Sequence, residues 1–264
     1  VPNHDGIPVW EVEIPVVGLI SVRGSFSLNV RKEINHPEAF YSEVKITPKD
    51  YGFLANLTAF APTSSQAEQA GLVFLGRMLD VLTVTVDIAL NVMNPSIVIQ
   101  NIDQPRVKRV TDQDEILDAF LEARRLTIAE TTYLRALGWF RKGKCTNDPL
   151  DRFLAFWIAI ETVACKYNPK KDACKNKGSI CHIWESFKHV WGECENWPLI
   201  SGITDWIDTN NEKRVKVAHG TIATDIESVS DITSSLDEVE AISRKFLMDW
   251  RAQLPANVDP QLMR

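Results

Sequence analysis

The stretch DPLDRFLAFWIAIETVACKY, Asp148 to Tyr167, decides how the second half of the chain folds. Asp148 offers a side-chain acceptor at the N-cap, and Pro149 a preset φ at the first helical position, so a helix starts sharply there. Leu150, Phe153, Leu154, Trp157 and Ile158 fall on one face of that helix; Phe156, Ile160 and Val163 fall on another. A helix apolar on two faces needs cover on most sides, which places it at the centre of a bundle. Glu161 is the exception on it. A bare buried carboxylate is costly, so Glu161 must be paired, hydrogen-bonded or protonated, or else reach solvent at the helix end. Arg214 is the obvious partner for it, and Lys166 or another lysine the alternative.

Helical patterns surround this core. DEILDAFLEARR (Asp114 to Arg125) is amphipathic, and AETTYLRALGWFRKGK (Ala129 to Lys144) ends in positive charge, which suits a helix C-terminus. Two more helices are expected around Ile180 to Val190 and Ile203 to Val217. A last one is expected to open on a Ser235–Glu238 capping box, with a stripe of Leu236, Val239, Ile242, Phe246, Trp250 and Leu254. Four or five helices make a bundle. Trp139, Phe140, Trp184, Trp191, Trp197 and Trp206 are expected in its core.

The first half reads differently. Val22, Gly24, Phe26, Leu28 and Val30 alternate with polar residues, the period of a half-buried strand. GFLANLTAFA (Gly52 to Ala61) follows the turn from Pro48 to Gly52, and WEVEIPVVGLI (Trp10 to Ile20) is its natural partner. A helix is expected from a Ser65–Glu68 capping box, with Ala67, Ala70, Phe74, Met78 and Leu82 inward and Pro95 as its stop; SIVIQNI (Ser96 to Ile102) reads as a strand. The chain is therefore α+β: an N-terminal antiparallel sheet with a helix over residues 1–110, then an all-α bundle over 111–264. The first part carries no glycine-rich phosphate loop, metal-ligand spacing or nucleophile elbow.

Composition narrows the classes. The 264 residues, 45% apolar and 24% charged, suit a globular protein, and a net charge of −6 argues against a general nucleic-acid coat. Charge is uneven, however. Arg141 to Lys188 holds ten Lys or Arg against five Asp or Glu, a local +5 that leaves −11 elsewhere. Lys170, Lys171, Lys175 and Lys177 read as an exposed loop, either solvated or suited to a phosphate backbone. The five cysteines, odd in number and irregular in spacing, predict a reduced, cytoplasmic protein with idle thiols and no bound metal or other cofactor; Cys174, Cys181, His182, His189 and Cys194 lack paired zinc-ligand spacing. No uninterrupted apolar run of membrane-spanning length is expected, since Gly76, Arg77, Asp80 and Asp87 break Leu72 to Met93.

The candidate site lies in NEKRVKVAHGT, Asn211 to Thr221. Gly220 sits where a left-handed cap would end a helix, with His219 just before it and Arg214 on the preceding turn. Five residues turn a helix through about 500°, so the two side chains share no face of an ideal helix. By ordinary chemistry His219 is a cap and Arg214 a salt-bridge partner or solvated charge. Asn211 and Glu161 stand as supporting residues.

RVKVAHG resembles the Arg-x4–6-His signature of HEPN domains, and LDRFLAFWIAIE (Leu150 to Glu161) resembles the apolar second helix of their Apea-like and MauJ-like members. The resemblance covers about Ala129 to Leu254. It departs at Val215, where the family usually carries a polar residue, most often asparagine. Many HEPN proteins are metal-independent endoribonucleases that dimerise so that two Arg-His pairs line one cleft. The resemblance thus implies a homodimer through the helical domain, RNA as substrate or ligand, and His219 and Arg214 as catalytic residues, with an antitoxin or other defence partner as in many relatives. Two other readings remain open: a non-catalytic interaction module, and a nucleotide-binding protein without cleavage.

Overall fold

The computed structural model describes residues 7–29, 40–92, 109–221 and 226–254. The chain is α+β and divides into two compact units, the first reaching Arg125 and the second beginning at Leu126. The composition shift near residue 110 lies before that division.

The first unit holds strands β1 (Val9–Val17), β2 (Ile20–Val22), β3 (Phe26–Asn29), β4 (Phe40–Lys49), β5 (Gly52–Phe60), β6 (Asn91–Val92) and β7 (Arg109–Thr111). The order β3-β4-β5-β1-β6 forms the antiparallel body, and β2 pairs in parallel with β5 and β7. β1 runs against β5 with Val9 opposite Phe60 and Val16 opposite Phe53, the expected pairing. Phe53, Ala55, Leu57 and Ala59 are buried on one face, while Leu54, Asn56 and Thr58 stay half-exposed on the other. Helix α1 (Ser64–Val86) covers the apolar face through Ala67, Gly71, Leu75, Met78 and Leu82.

Several expectations for this unit need correction. The alternating run from Val22 is two strands, because the chain leaves the ladder at Arg23, whose N–H donates to Thr111 O at 3.0 Å. β4 was not anticipated, although Val44 and Ile46 alternate with Glu43 and Lys45. The cap of α1 is Thr63, whose hydroxyl accepts from Gln66 N at 3.3 Å; Ser65 is already helical. α1 ends at Val86 because Asp87 turns left-handed (φ 58°), well before Pro95, which lies with Ser96 to Ile102 outside the described residues. By length and composition alone α1 could cross a membrane, despite Arg77 and Asp80, but more than half of its apolar stretch is buried.

Helix α2 (Gln113–Ala129) crosses the division between units. The second unit follows with α3 (Thr131–Cys145), α4 (Pro149–Tyr167), α5 (Gly178–Trp191), α6 (Trp206–Ala218) and α7 (Ile226–Arg251). Asp148 caps α4 as expected, its carboxylate accepting from Leu150 N at 2.9 Å and Asp151 N at 3.0 Å. α4 is the central helix, with α3, α5, α6 and α7 all packed on it. Phe153, Phe156 and Trp157 are completely buried, each worth roughly 1.5–3 kcal/mol relative to exposure.

Polar contacts fix how these helices meet. Ser243 Oγ donates to Phe156 O at 3.1 Å, and Tyr133 Oη donates to Leu247 O at 2.6 Å. Glu240 on α7 accepts from Lys144 on α3 at 2.7 Å and from Arg152 on α4 at 3.0 Å. Phe140, Trp197 and Trp206 are core residues, whereas Trp139 is half-exposed with Lys142 Nζ 4.8 Å from its ring centroid. α7 begins at Ile226, so Ser235 is interior to it and no cap. Its hydroxyl bonds back to Ile232 O at 3.0 Å, and Glu238 accepts from Trp206 Nε1 at 2.6 Å.

Candidate functional site

α6 lays one stripe of side chains on α4. Trp206, Asn210 and Arg214 recur every four residues along α6, and Trp157, Glu161 and Cys165 do the same along α4. The rings of Trp157 and Trp206 lie 5.9 Å apart. Further along, Arg214 Nη2 donates to Glu161 Oε2 at 3.1 Å and more weakly to Oε1 at 3.4 Å. The pair is partly sheltered, with side-chain exposures of 28% for Arg214 and 17% for Glu161. Of the two partners weighed for Glu161, the structure selects Arg214. Arg214 Nε is buried without a partner in the described residues.

α6 ends in a Schellman motif. Gly220 takes φ +62°, its N–H donates to Val217 O at 3.1 Å, and Thr221 N donates to Lys216 O at 2.9 Å. A glycine tolerates this left-handed backbone at no steric cost. His219 is the C-cap residue, and its N–H donates to Val215 O at 3.0 Å. Its ring is exposed and makes no side-chain hydrogen bond among the described residues. Arg214 therefore engages α4 while His219 faces solvent beyond the last turn. Within one chain the fold does not join them by hydrogen bond or ring contact. Asn211 is half-exposed, and Val215 is 38% exposed.

The lysine loop lies between α4 and α5. Lys170, Lys171, Lys175 and Lys177 are all exposed. Lys170 Nζ pairs with Glu185 at 2.7 Å, and its backbone N–H donates to Asn168 Oδ1 at 2.7 Å. The loop is closed by a disulfide between Cys174 and Cys181, so the expectation that all five thiols are reduced and idle is wrong for these two. Seven positions apart, they meet because the 3-10 turn Lys171–Cys174 folds back onto the first turn of α5. Cys145, Cys165 and Cys194 remain free.

Cys165 ties the loop to the ion pair. Cys165 is an exposed residue, but the crowding of protein around its sulfur partly desolvates it. This, and then the Glu161 carboxylate, hold its thiol above the usual cysteine range, while the charges of Arg214 and Lys171 pull it back. Four groups thus share one neighbourhood: Glu161, Cys165, Lys171 and Arg214. Sequence reading singled out three of them and passed over Cys165, although it sits one helical turn after Glu161. It also passed over Asn210, one turn before Arg214, which is buried. Asn210 Nδ2 donates to Trp206 O at 2.9 Å, while its Oδ1 lacks a partner in the described residues. Among the described residues no group of three or more His, Cys, Asp or Glu gathers as a metal centre.

Residues 136–244 match the family model of the methylamine utilization protein MauJ. No curated protein and no solved structure matches the chain. The MauJ match takes in the Glu161–Arg214 pair, the lysine loop, the disulfide and the cap at Gly220. The sheet of the first unit falls outside the MauJ segment, as does α2.

Proposed function

We propose that the helical unit is a HEPN-type, metal-independent endoribonuclease that works as a homodimer. The observation that carries this reading is the disposition of the Arg-x4-His pair. Arg214 is held in place by Glu161 yet remains partly exposed, and the exposed His219 ring has no side-chain hydrogen bond among the described residues. A second copy facing the same surface would supply what one chain lacks. Lys171, Lys175 and Lys177 would hold flanking phosphates by charge.

The chemistry needs only the RNA and these side chains. The neutral imidazole of one His219 takes the proton from a ribose 2′-hydroxyl as that oxygen attacks the adjacent phosphorus. The bond from phosphorus to O5′ breaks, and O5′ takes a proton from the imidazolium of the second copy's His219. Arg214 stabilises the charge that builds on the non-bridging oxygens. The products are a 2′,3′-cyclic phosphate and a free 5′-hydroxyl, and DNA, which lacks the attacking 2′-hydroxyl, is expected not to be cleaved.

One observation favours a second reading. Val215 presents an apolar surface where a hydrogen-bonding side chain is usual in HEPN enzymes. The helical unit would then bind a partner, an antitoxin or defence protein, or a nucleotide, without cleaving. The test is cleavage of a single-stranded RNA by the full chain with end-group analysis, beside His219→Ala and an all-deoxy substrate. Loss of about 10²–10⁴-fold in the variant supports the enzyme. Wild-type protein that cleaves no RNA, in parallel with Val215→Asn protein that also cleaves none, sinks it in favour of the interaction module.

A further inference from the structure

Helix α3 presents two unlike faces. Tyr133, Leu137, Phe140 and Gly143 are buried, and a Cβ on Gly143 would run into the Phe156 ring of α4. That packing fixes the rotation of the helix. Arg135, Trp139 and Lys142 fall on its opposite side, within about 60° of one another around the axis. Both cations are exposed, and the indole between them is half-exposed.

The three side chains form one cluster. Lys142 Nζ lies 4.8 Å and Arg135 Cζ 5.7 Å from the centroid of the Trp139 ring. They stand one turn after it and one turn before it, the spacings that make neighbours on a helix surface. Other tryptophans of the unit meet rings instead, Trp157 against Trp206 and Trp184 against Trp197. α3 carries four Lys or Arg and no Asp or Glu, so its own helix does not offset the charge around the ring. An aromatic plane flanked by cations suits one nucleotide of a single strand, a flat base with a phosphate on either side. An anionic membrane would require more apolar surface than one ring, and Tyr133, Leu134, Leu137 and Phe140 of α3 are all buried.

We propose that Trp139 stacks a base of single-stranded RNA, and that Arg135 and Lys142 hold the phosphates on either side of it. Stacking a base on an indole outweighs an exposed cation–π contact. The base therefore displaces a cation that covers the ring, and that cation passes to the neighbouring phosphate. The subsite lies on α3, apart from Arg214 and His219 on and after α6, so binding here requires no cleavage. It rests on the ribonuclease reading only for the choice of RNA as the strand.

The experiment titrates the full chain with a fluorescein-labelled 2′-O-methyl dodecaadenylate, whose blocked 2′-oxygens prevent self-cleavage. Anisotropy should show saturable binding, about tenfold weaker in Trp139→Ala and close to wild type in Trp139→Phe, which keeps an aromatic plane. Arg135→Gln and Lys142→Gln should each weaken binding several-fold and lower the salt slope by about one phosphate contact. An abasic strand of equal length should bind the wild type about tenfold more weakly than the dodecaadenylate does. Absence of saturable binding overturns the proposal, as does a wild type indifferent to base removal, or equal affinity in wild type and folded Trp139→Ala. Binding to phosphatidylserine vesicles that Trp139→Ala loses, with strand binding unchanged, also overturns it by assigning the face to a membrane. Strand binding that depends on Trp139 in a protein that cleaves no RNA keeps the subsite and sinks the ribonuclease. Cleavage that His219→Ala abolishes, with strand binding indifferent to Trp139, does the reverse.

Discussion

Glu161 on α4 holds Arg214 on α6 through both carboxylate oxygens, at 3.1 and 3.4 Å, one helical turn past the contact between Trp157 and its α6 neighbour. The pair anchors the guanidinium and also offsets its charge. Glu161→Gln should therefore leave the fold intact, at a cost of roughly 1–2 kcal/mol for a partly sheltered pair in which the amide oxygen can still accept from Arg214. The same variant should tighten binding of a short RNA at low salt, because Arg214 loses its internal counter-charge. Urea denaturation and fluorescence anisotropy read the two effects, and a weaker RNA complex in a fully folded variant would contradict the role given to Glu161.

Cys165 reports on the same pair. Though exposed, its thiol lies above the ordinary cysteine range through partial desolvation and the Glu161 charge, so alkylation at pH 8 should be slower than for a free cysteine. Removing the negative charge with Glu161→Gln should lower the thiol pKa and speed the reaction. Removing the positive charge with Arg214→Ala should slow it. Peptide-resolved mass spectrometry across pH 7–10 separates Cys165 from Cys145 and Cys194. Opposite signs in the two variants are the required result.

Gly143 tests how tightly α3 sits on α4. A Cβ at this position would meet the Phe156 ring at 2.6–2.9 Å, and Phe156 is completely buried. Gly143→Ala should destabilise the second unit by about 1–3 kcal/mol through overpacking, despite the better helix propensity of alanine. An unchanged denaturation midpoint would show that the ring can yield.

Reducing the Cys174–Cys181 disulfide frees a short closed loop. The lost cross-link should cost about 2 kcal/mol by chain entropy. Denaturation of the wild type with and without dithiothreitol measures it, with Cys181→Ser as the control that should no longer respond. The reduced loop should also exchange its amides faster between residues 171 and 181.

The fold was legible wherever local and tertiary signals agree. Asp148-Pro149 starts α4, the apolar faces of α4 are buried, and Gly220 takes the left-handed cap. The reading went astray where a local pattern has a second use. Ser235 and Glu238 have the spacing of a capping box, but the preceding turns are helical because Ile232 is buried and Lys213 Nζ binds Asp231 Oδ1 at 3.1 Å. Thr63 took the cap from Ser65 by two residues, a shift no periodicity reveals. At the site, an unpaired charge on an apolar helix was enough to raise the Glu161–Arg214 contact as a question. The nearness of Cys165 and Lys171 depends on how the chain leaves α4, and the Cys174–Cys181 bond on a 3-10 turn. Neither has a signature in spacing.

Glu240 joins three helices by accepting from Lys144 and Arg152 at once, one anion between two cations. The junction is therefore lopsided in what it can lose. Shedding either cation leaves a balanced couple, and the other two helices stay tied. Shedding the carboxylate releases Lys144 and Arg152 from α7 at once, so α3 and α4 lose this tie to the last helix together.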